Sequence, residues 1–165
     1  MNASKSPVVL IVDDEPPIRQ LVRKIMEASE WVVLEARDGG EALHLLATVP
    51  HVDFLVTDLQ MPVMDGKQLA QTVRLLRPRL KVLYLTGYSE MLFTSAKVLT
   101  DNEAYLDKPF TPKALIEAVS LLFFGTLQPA GDTRRPWAAR LLAAVHPRQL
   151  RMLREPGADD HSATS

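Results

Sequence analysis

The chain contains no cysteine, which excludes disulfides and thiolate zinc sites and suits a reducing compartment. It has no basic excess either: 19 Lys and Arg stand against 20 Asp and Glu, a formal net charge of −1. A surface built to hold nucleic acid or an anionic membrane carries a pronounced positive balance, and no DNA-reading motif makes up for its lack. The four histidines, His44, His51, His146 and His161, are scattered without ligand spacing. No apolar run approaches the roughly 20 residues that span a bilayer, or the core of a signal peptide. The expectation from these absences is a cytoplasmic, water-soluble domain with no direct hold on DNA or membrane. With 165 residues and 47% hydrophobic content, the chain is long enough to bury one real core.

What is present alternates. Strand-like runs at Val8–Val12, Val32–Ala36, Asp53–Thr57, Lys81–Leu85 and Ala104–Leu106 are separated by helical patterns, the order of an α/β fold with a parallel sheet covered by helices on both faces. All but the last run lack polar alternation, as strands buried on both sides do. Ile18, Leu21, Val22, Ile25 and Met26 recur at three-four spacing behind two prolines that suit a helix's first turn. Asp38-Gly-Gly-Glu41 reads as a capping box opening a helix through Leu46. Leu69, Val73 and Leu76 mark a third helix stopped by Arg77-Pro78, Ser89–Leu99 a fourth, and Leu115, Ile116, Val119, Leu122 and Phe123 the inward face of a fifth, capped by Thr111-Pro112.

After Gly125 the composition changes: residues 126–165 carry four prolines and six arginines but no lysine, whereas all seven lysines lie earlier. The expected organisation is a short N-terminal tail over 1–6, one domain over 7–125, and a Pro/Arg-rich C-terminal tail over 126–165. That tail is expected to be mostly disordered, with Trp137–Val145 able to form a short helix that is marginal in isolation. It is too short and irregular for a winged helix.

Ligands of open α/β sheets bind beyond the carboxyl ends of the strands, so the residues at those ends are the directed test. They are Asp13-Asp14-Glu15, Thr57-Asp58, Thr86-Gly87 and Asp107-Lys108-Pro109. Singly, each has a plainer reading: acids cap helices, a threonine ends a strand, a Lys-Pro turns the chain, and Tyr105 fills a core. Their placement at one sheet edge argues for a shared site. Two carboxylates about 4 Å apart repel by roughly 4 kcal/mol at an effective dielectric of 20, so the site needs cations. Lys108 is one; a hard divalent ion bound by carboxylate and carbonyl oxygens, of which Mg²⁺ best tolerates shared phosphate oxygens, is the other.

Together "VVLIVDDEPPIRQLV", "VTDLQMPVMDG", "VLYLTGYS" and "AYLDKPFTPKAL" resemble the receiver domain of two-component response regulators, especially receivers associated with hybrid sensor kinases, over about residues 7–124. The resemblance implies a doubly wound, flavodoxin-like five-stranded parallel sheet in the order 2-1-3-4-5. It implies Asp58 as phosphoacceptor, Mg²⁺ held by Asp13, Asp14, Asp58 and the backbone carbonyl of Gln60, and Lys108 and Thr86 contacting the phosphoryl group, with a cis Lys108-Pro109 bond. Thr86 and Tyr105 take the switch positions, remodelling the surface of the fourth and fifth predicted helices and fifth strand. Gln60 and Tyr88 take the positions that tune dephosphorylation, and the bulk of Tyr88 predicts slow phosphoryl loss.

The implied partners are a sensor histidine kinase or a histidine phosphotransfer protein upstream and an unnamed protein target downstream, with a phosphorylation-dependent dimer left open. The implied chemistry is gain and loss of the chain's own phosphoryl group rather than turnover of a separate substrate. Two alternatives remain: a receiver-shaped interaction module that is never phosphorylated, and a haloacid-dehalogenase-type phosphatase. The latter wants an Asp-x-Asp nucleophile motif, whereas Asp13 and Asp14 are adjacent. Asp101-Asn102-Glu103 stands where receivers usually have a glycine. Glu15 reads as a first-turn helix charge.

Overall fold

The computed structural model describes residues 6–87 and 102–124. The elements are β1 (Val8–Val12), α1 (Pro16–Ala28), β2 (Val32–Ala36), α2 (Gly39–Thr48), β3 (Phe54–Asp58), α3 (Gly66–Leu76), β4 (Lys81–Thr86), β5 (Glu103–Asp107) and α4 (Pro112–Phe124). The fourth predicted helix at 89–99, Tyr88 and everything beyond Phe124, including the tail, lie outside the described residues.

The strands form one parallel sheet in the order β2-β1-β3-β4-β5. Strand periodicity sorts the core into two layers. Val9 and Ile11 of β1, Phe54 and Val56 of β3, and Leu83 and Leu85 of β4 face Val22, Ile25 and Met26 of α1 and Leu115, Val119 and Leu122 of α4. Their alternates Leu10, Val12, Leu55, Val82 and Tyr84 face Ala42 and Leu46 of α2 and Leu69, Ala70 and Val73 of α3. Each fully buried aliphatic chain contributes on the order of 2 kcal/mol, and β1 and β3 are buried at every position. Trp31 closes the first layer edge-on against Phe54 and Phe123, with ring centroids 5.9 and 5.4 Å away.

This topology makes the site. The chain leaves β1 through α1 on one face to β2, and leaves β2 through α2 on the other face to β3, so the carboxyl ends of β1 and β3 flank the crevice where the winding reverses. The loop into α3 is fixed by a complete capping box: Gln68 N–H donates to Asp65 Oδ1 at 2.8 Å and Asp65 N–H donates to Gln68 Oε1 at 3.2 Å.

Several expectations are corrected. β2 is not covered on both faces: Val32 is exposed and Val33–Glu35 are half-buried, because β2 is an edge. Leu21 sits on the outer side of α1. At α2 only half of the predicted box forms; Asp38 accepts from Glu41 N–H, but the Glu41 carboxylate reaches one residue too far and accepts from Arg37 N–H. β3 and β5 are each offset or extended by a residue from their predicted bounds, the scale on which strand ends are set by neighbours rather than local sequence.

Candidate functional site: an acidic crevice at the strand ends

Asp13 follows the last residue of β1 and Asp58 is the last residue of β3. Parallel pairing of Val12 with Thr57 brings the two acids side by side. Asp13, Asp14 and Asp58 each offer a carboxylate oxygen, and these oxygens lie within 4.8 Å of one another. Asp13 is wholly buried, Asp58 is 6% exposed and Asp14 faces solvent.

The acids are held in place by the backbone around them. Asp13 Oδ1 accepts from Glu15 N–H at 2.8 Å, Arg19 Nη1 donates to the Asp13 carbonyl at 2.6 Å, and Asp58 Oδ1 accepts from Gln60 N–H at 3.1 Å. Pro16 and Pro17 start α1 without needing acceptors for their nitrogens. Gly66 N–H donates to the Leu59 carbonyl at 3.1 Å, and a β-carbon on Gly66 would lie 2.2 Å from the Asp58 carbonyl oxygen. Only glycine lets α3 begin so close to the end of β3.

Lys108 crosses from the end of β5 to face all three of its acidic neighbours. Its Nζ lies 2.9 Å from Asp13 Oδ2, 3.1 Å from Glu15 Oε1 and 3.4 Å from Asp58 Oδ2. Lys108 N–H donates to the Thr86 carbonyl at 2.7 Å, and the Lys108-Pro109 bond is cis. One ammonium shared among three carboxylates explains two opposite balances. Burial pushes the Asp13 carboxyl above its ordinary range, and the hydrogen bonds from Lys108 and Glu15 N–H do not fully offset that. Burial pulls the Lys108 ammonium down, but Asp13, Glu15 and Asp58 together raise it above its ordinary value.

One sequence expectation changes here. Glu15 is the N-cap of α1, not a first-turn residue, and its side chain makes no cap bond but reaches Lys108. Lys108 pairs with Asp58 and lies nearer still to Asp13.

Thr86 closes β4 and is 1% exposed. Tyr105 pairs in register with Tyr84, and their rings stack at 4.9 Å with 26° between planes. The Tyr84 hydroxyl donates to Glu103 Oε1 at 2.9 Å, and Arg74 of α3 pairs with the same carboxylate. Burial and Glu103 raise both tyrosine hydroxyls above their ordinary range. Glu103, the last of the three residues that stand where receivers usually have a glycine, is thus the bridge between α3, β4 and β5. Sequence reading passed over Tyr84, Arg74 and Glu103 as a unit; the one legible signal was an aromatic two residues before Thr86.

Comparison with known proteins now decides the family. The sequence pattern of the response regulator receiver domain matches residues 9–120. This chain belongs to that family. The receiver is 33% identical over 119 residues to the sensor kinase CckA of Brucella abortus, covering 72% of this chain and 13% of that protein. It is 30% identical over 136 residues to the transcriptional regulatory protein TrcR of Mycobacterium tuberculosis, covering 82% and 51%. It therefore spans about an eighth to a half of the length of these relatives. Among solved structures, a receiver protein from Sinorhizobium medicae superposes with a TM-score of 0.65 at 27% identity, over 73% of this chain and 97% of that one. The response regulator TrrA of Thermotoga maritima, solved with Mg²⁺ and BeF, gives 0.58 at 28% identity, over 70% and 98%. Relatives of this receiver belong to histidine-kinase signalling. Among the described residues no helix is long and apolar enough to cross a membrane.

Proposed function

We propose that this receiver takes a phosphoryl group from a phosphohistidine onto Asp58 and uses the charge to change its surface for a protein partner. The observation that carries the reading is Asp58 itself, a nearly buried carboxylate with two further acids within 4.8 Å and Lys108 Nζ at 3.4 Å. An oxygen of Asp58 attacks phosphorus, the bond to the imidazole nitrogen breaks, and an acyl phosphate remains. Such transfer is mostly positioning and neutralisation of charge on the equatorial oxygens.

The donor set fits a hard cation: three carboxylates with oxygens close enough to share one ion. Asp13, Asp14, Asp58 and the Gln60 carbonyl would hold Mg²⁺, which supplies neutralisation of phosphoryl charge when bound. Lys108 supplies the second positive charge, and the Thr86 hydroxyl a hydrogen bond to the phosphoryl group. A cleft of about 460 Å³ beside Asp14, lined in part by Arg37, Gly39, Pro62 and Met64, leaves an approach to the crevice open.

The acyl phosphate adds about −1.5 to −2 charges and three acceptor oxygens. Thr86 and Lys108 are drawn to them, and Tyr105 moves relative to its stack on Tyr84. Shifting a two-state surface from 1:99 to 99:1 takes about 5.5 kcal/mol, within reach of a few charge-assisted hydrogen bonds at roughly 1.5–3 kcal/mol each. The donor is a sensor histidine kinase or a histidine phosphotransfer protein, and the setting is the cytoplasm. The chain turns over no separate substrate and acts through a protein target rather than by binding DNA. Gln60 and Tyr88 set the phosphoryl lifetime.

The test is labelling by a phosphorylated histidine kinase, together with trapping by beryllofluoride and Mg²⁺. A stable adduct that Asp58→Asn abolishes is expected. Wild-type protein that takes neither label nor beryllofluoride would be a receiver-shaped interaction module, and release of phosphate from small phosphomonoesters would make it a phosphatase.

A further inference from the structure

Lys108 carries three ammonium hydrogens and faces three carboxylates, but it does not divide itself evenly. Its two hydrogen bonds go to Asp13 at 2.9 Å and Glu15 at 3.1 Å, and Asp58, the acceptor it is meant to serve, is the most distant at 3.4 Å. Glu15 differs from the other two. It is outside the three-acid cluster that could share a cation, and its side chain is 58% exposed at the mouth of the crevice while that of Lys108 is 14% exposed. Its side chain also makes no cap hydrogen bond, since Pro16 and Pro17 offer no N–H and Ile18 N–H donates to the Glu15 carbonyl instead.

We propose that Glu15 is a positioning residue for Lys108: it tethers the ammonium at the mouth of the site, in competition with Asp58 and with the phosphoryl oxygens that arrive there. The inference rests on the phosphoacceptor reading above. A cation on Asp13, Asp14 and Asp58 draws on the Asp13 carboxylate, whereas Glu15 stays available to the lysine. Engagement of the phosphoryl group then draws the Lys108 ammonium inward against the pull of Glu15, so this contact slows phosphorylation and shortens the life of the acyl phosphate.

Two variants of the full chain separate the tether from simple repulsion of an anionic donor. Glu15→Gln removes the charge; Glu15→Asp keeps it but is one methylene shorter, so that its carboxylate falls short of the Lys108 ammonium that Glu15 reaches at 3.1 Å. Phosphorylation by phosphoramidate with Mg²⁺ is expected to speed up in both variants, by up to about fivefold, the scale of a half-exposed ion pair. Acceleration in Glu15→Gln alone means repulsion, and overturns the tether. The second readout needs no activity: hydrogen exchange of the Lys108 ammonium, followed by ¹⁵N NMR in metal-free protein, is expected to quicken in both variants. Exchange unchanged from wild type overturns the proposal. Failure of wild-type protein to be phosphorylated at all sinks the phosphoacceptor reading instead, and leaves the exchange result to stand on its own.

Discussion

Gly66→Ala tests how tightly the phosphoacceptor is held by backbone rather than by side chains. The added β-carbon would sit 2.2 Å from the Asp58 carbonyl oxygen and 3.1 Å from Thr57 Cγ2. A comfortable carbon–oxygen contact is about 3.3 Å or more, so roughly 1 Å must be found. Neither side gives freely. The end of β3 is tied to β4 where Leu59 N–H donates to the Leu85 carbonyl at 2.8 Å, and the start of α3 is tied by Gly66 N–H to Leu59 and by the Asp65–Gln68 capping box. Overpacking of this kind costs about 1–3 kcal/mol. Alanine's better helix propensity recovers at most about 1 kcal/mol, and less at a first helical position. The clash wins, with a net loss of about 2 kcal/mol and a fall in melting temperature of about 5–10 °C. If β3 yields, Asp58 moves by about the missing distance, and a misplacement of that size can cost about 10²-fold in rate. The assay is thermal melting by circular dichroism beside phosphorylation by phosphoramidate. Gly40→Ala is the control, since its β-carbon meets only the Asp38 carboxylate at 3.3 Å. A Gly66→Ala protein that melts and phosphorylates like this control would refute the reasoning.

Two further outcomes follow from strain and charge. Val63 is fully exposed and β-branched, yet sits at φ 70° in the loop after β3; Val63→Gly removes a left-handed cost of about 1–2 kcal/mol and loses no burial, so denaturant unfolding should show a gain near 1 kcal/mol, and a loss would show that the loop conformation is favourable for valine. Asp13→Asn removes a buried carboxylate that its surroundings hold above the ordinary range; in EDTA at neutral pH the variant should unfold at a higher denaturant concentration than wild type, while added Mg²⁺ should raise the melting temperature of wild type and not of the variant. Equal responses to Mg²⁺ would remove Asp13 from the ion's ligands.

The sequence by itself determined the strand ends as the place to look, because chemistry in an open α/β sheet gathers where strands stop. Short apolar, β-branched runs were enough to place β1 and β2 to the residue, and Asp13, Asp14, Asp58, Thr86 and Lys108 all lie at that edge in the structure. Burial of β2 was not legible, since a run of Val-Val-Leu reads the same in an edge strand as in a central one; the sheet order makes the difference. The three acids in a row were legible, but their division of labour was not. Which carboxylate Lys108 prefers depends on a span of 93 residues, from Glu15 to Lys108, closed by the pairing of four strands. The same holds for Glu103, whose carboxylate joins Arg74 on α3 to Tyr84 on β4. Local patterns fix which residues reach an edge; only tertiary structure decides which of them meet, because distances of a few tenths of an ångström between charges are set by packing far from the charges themselves.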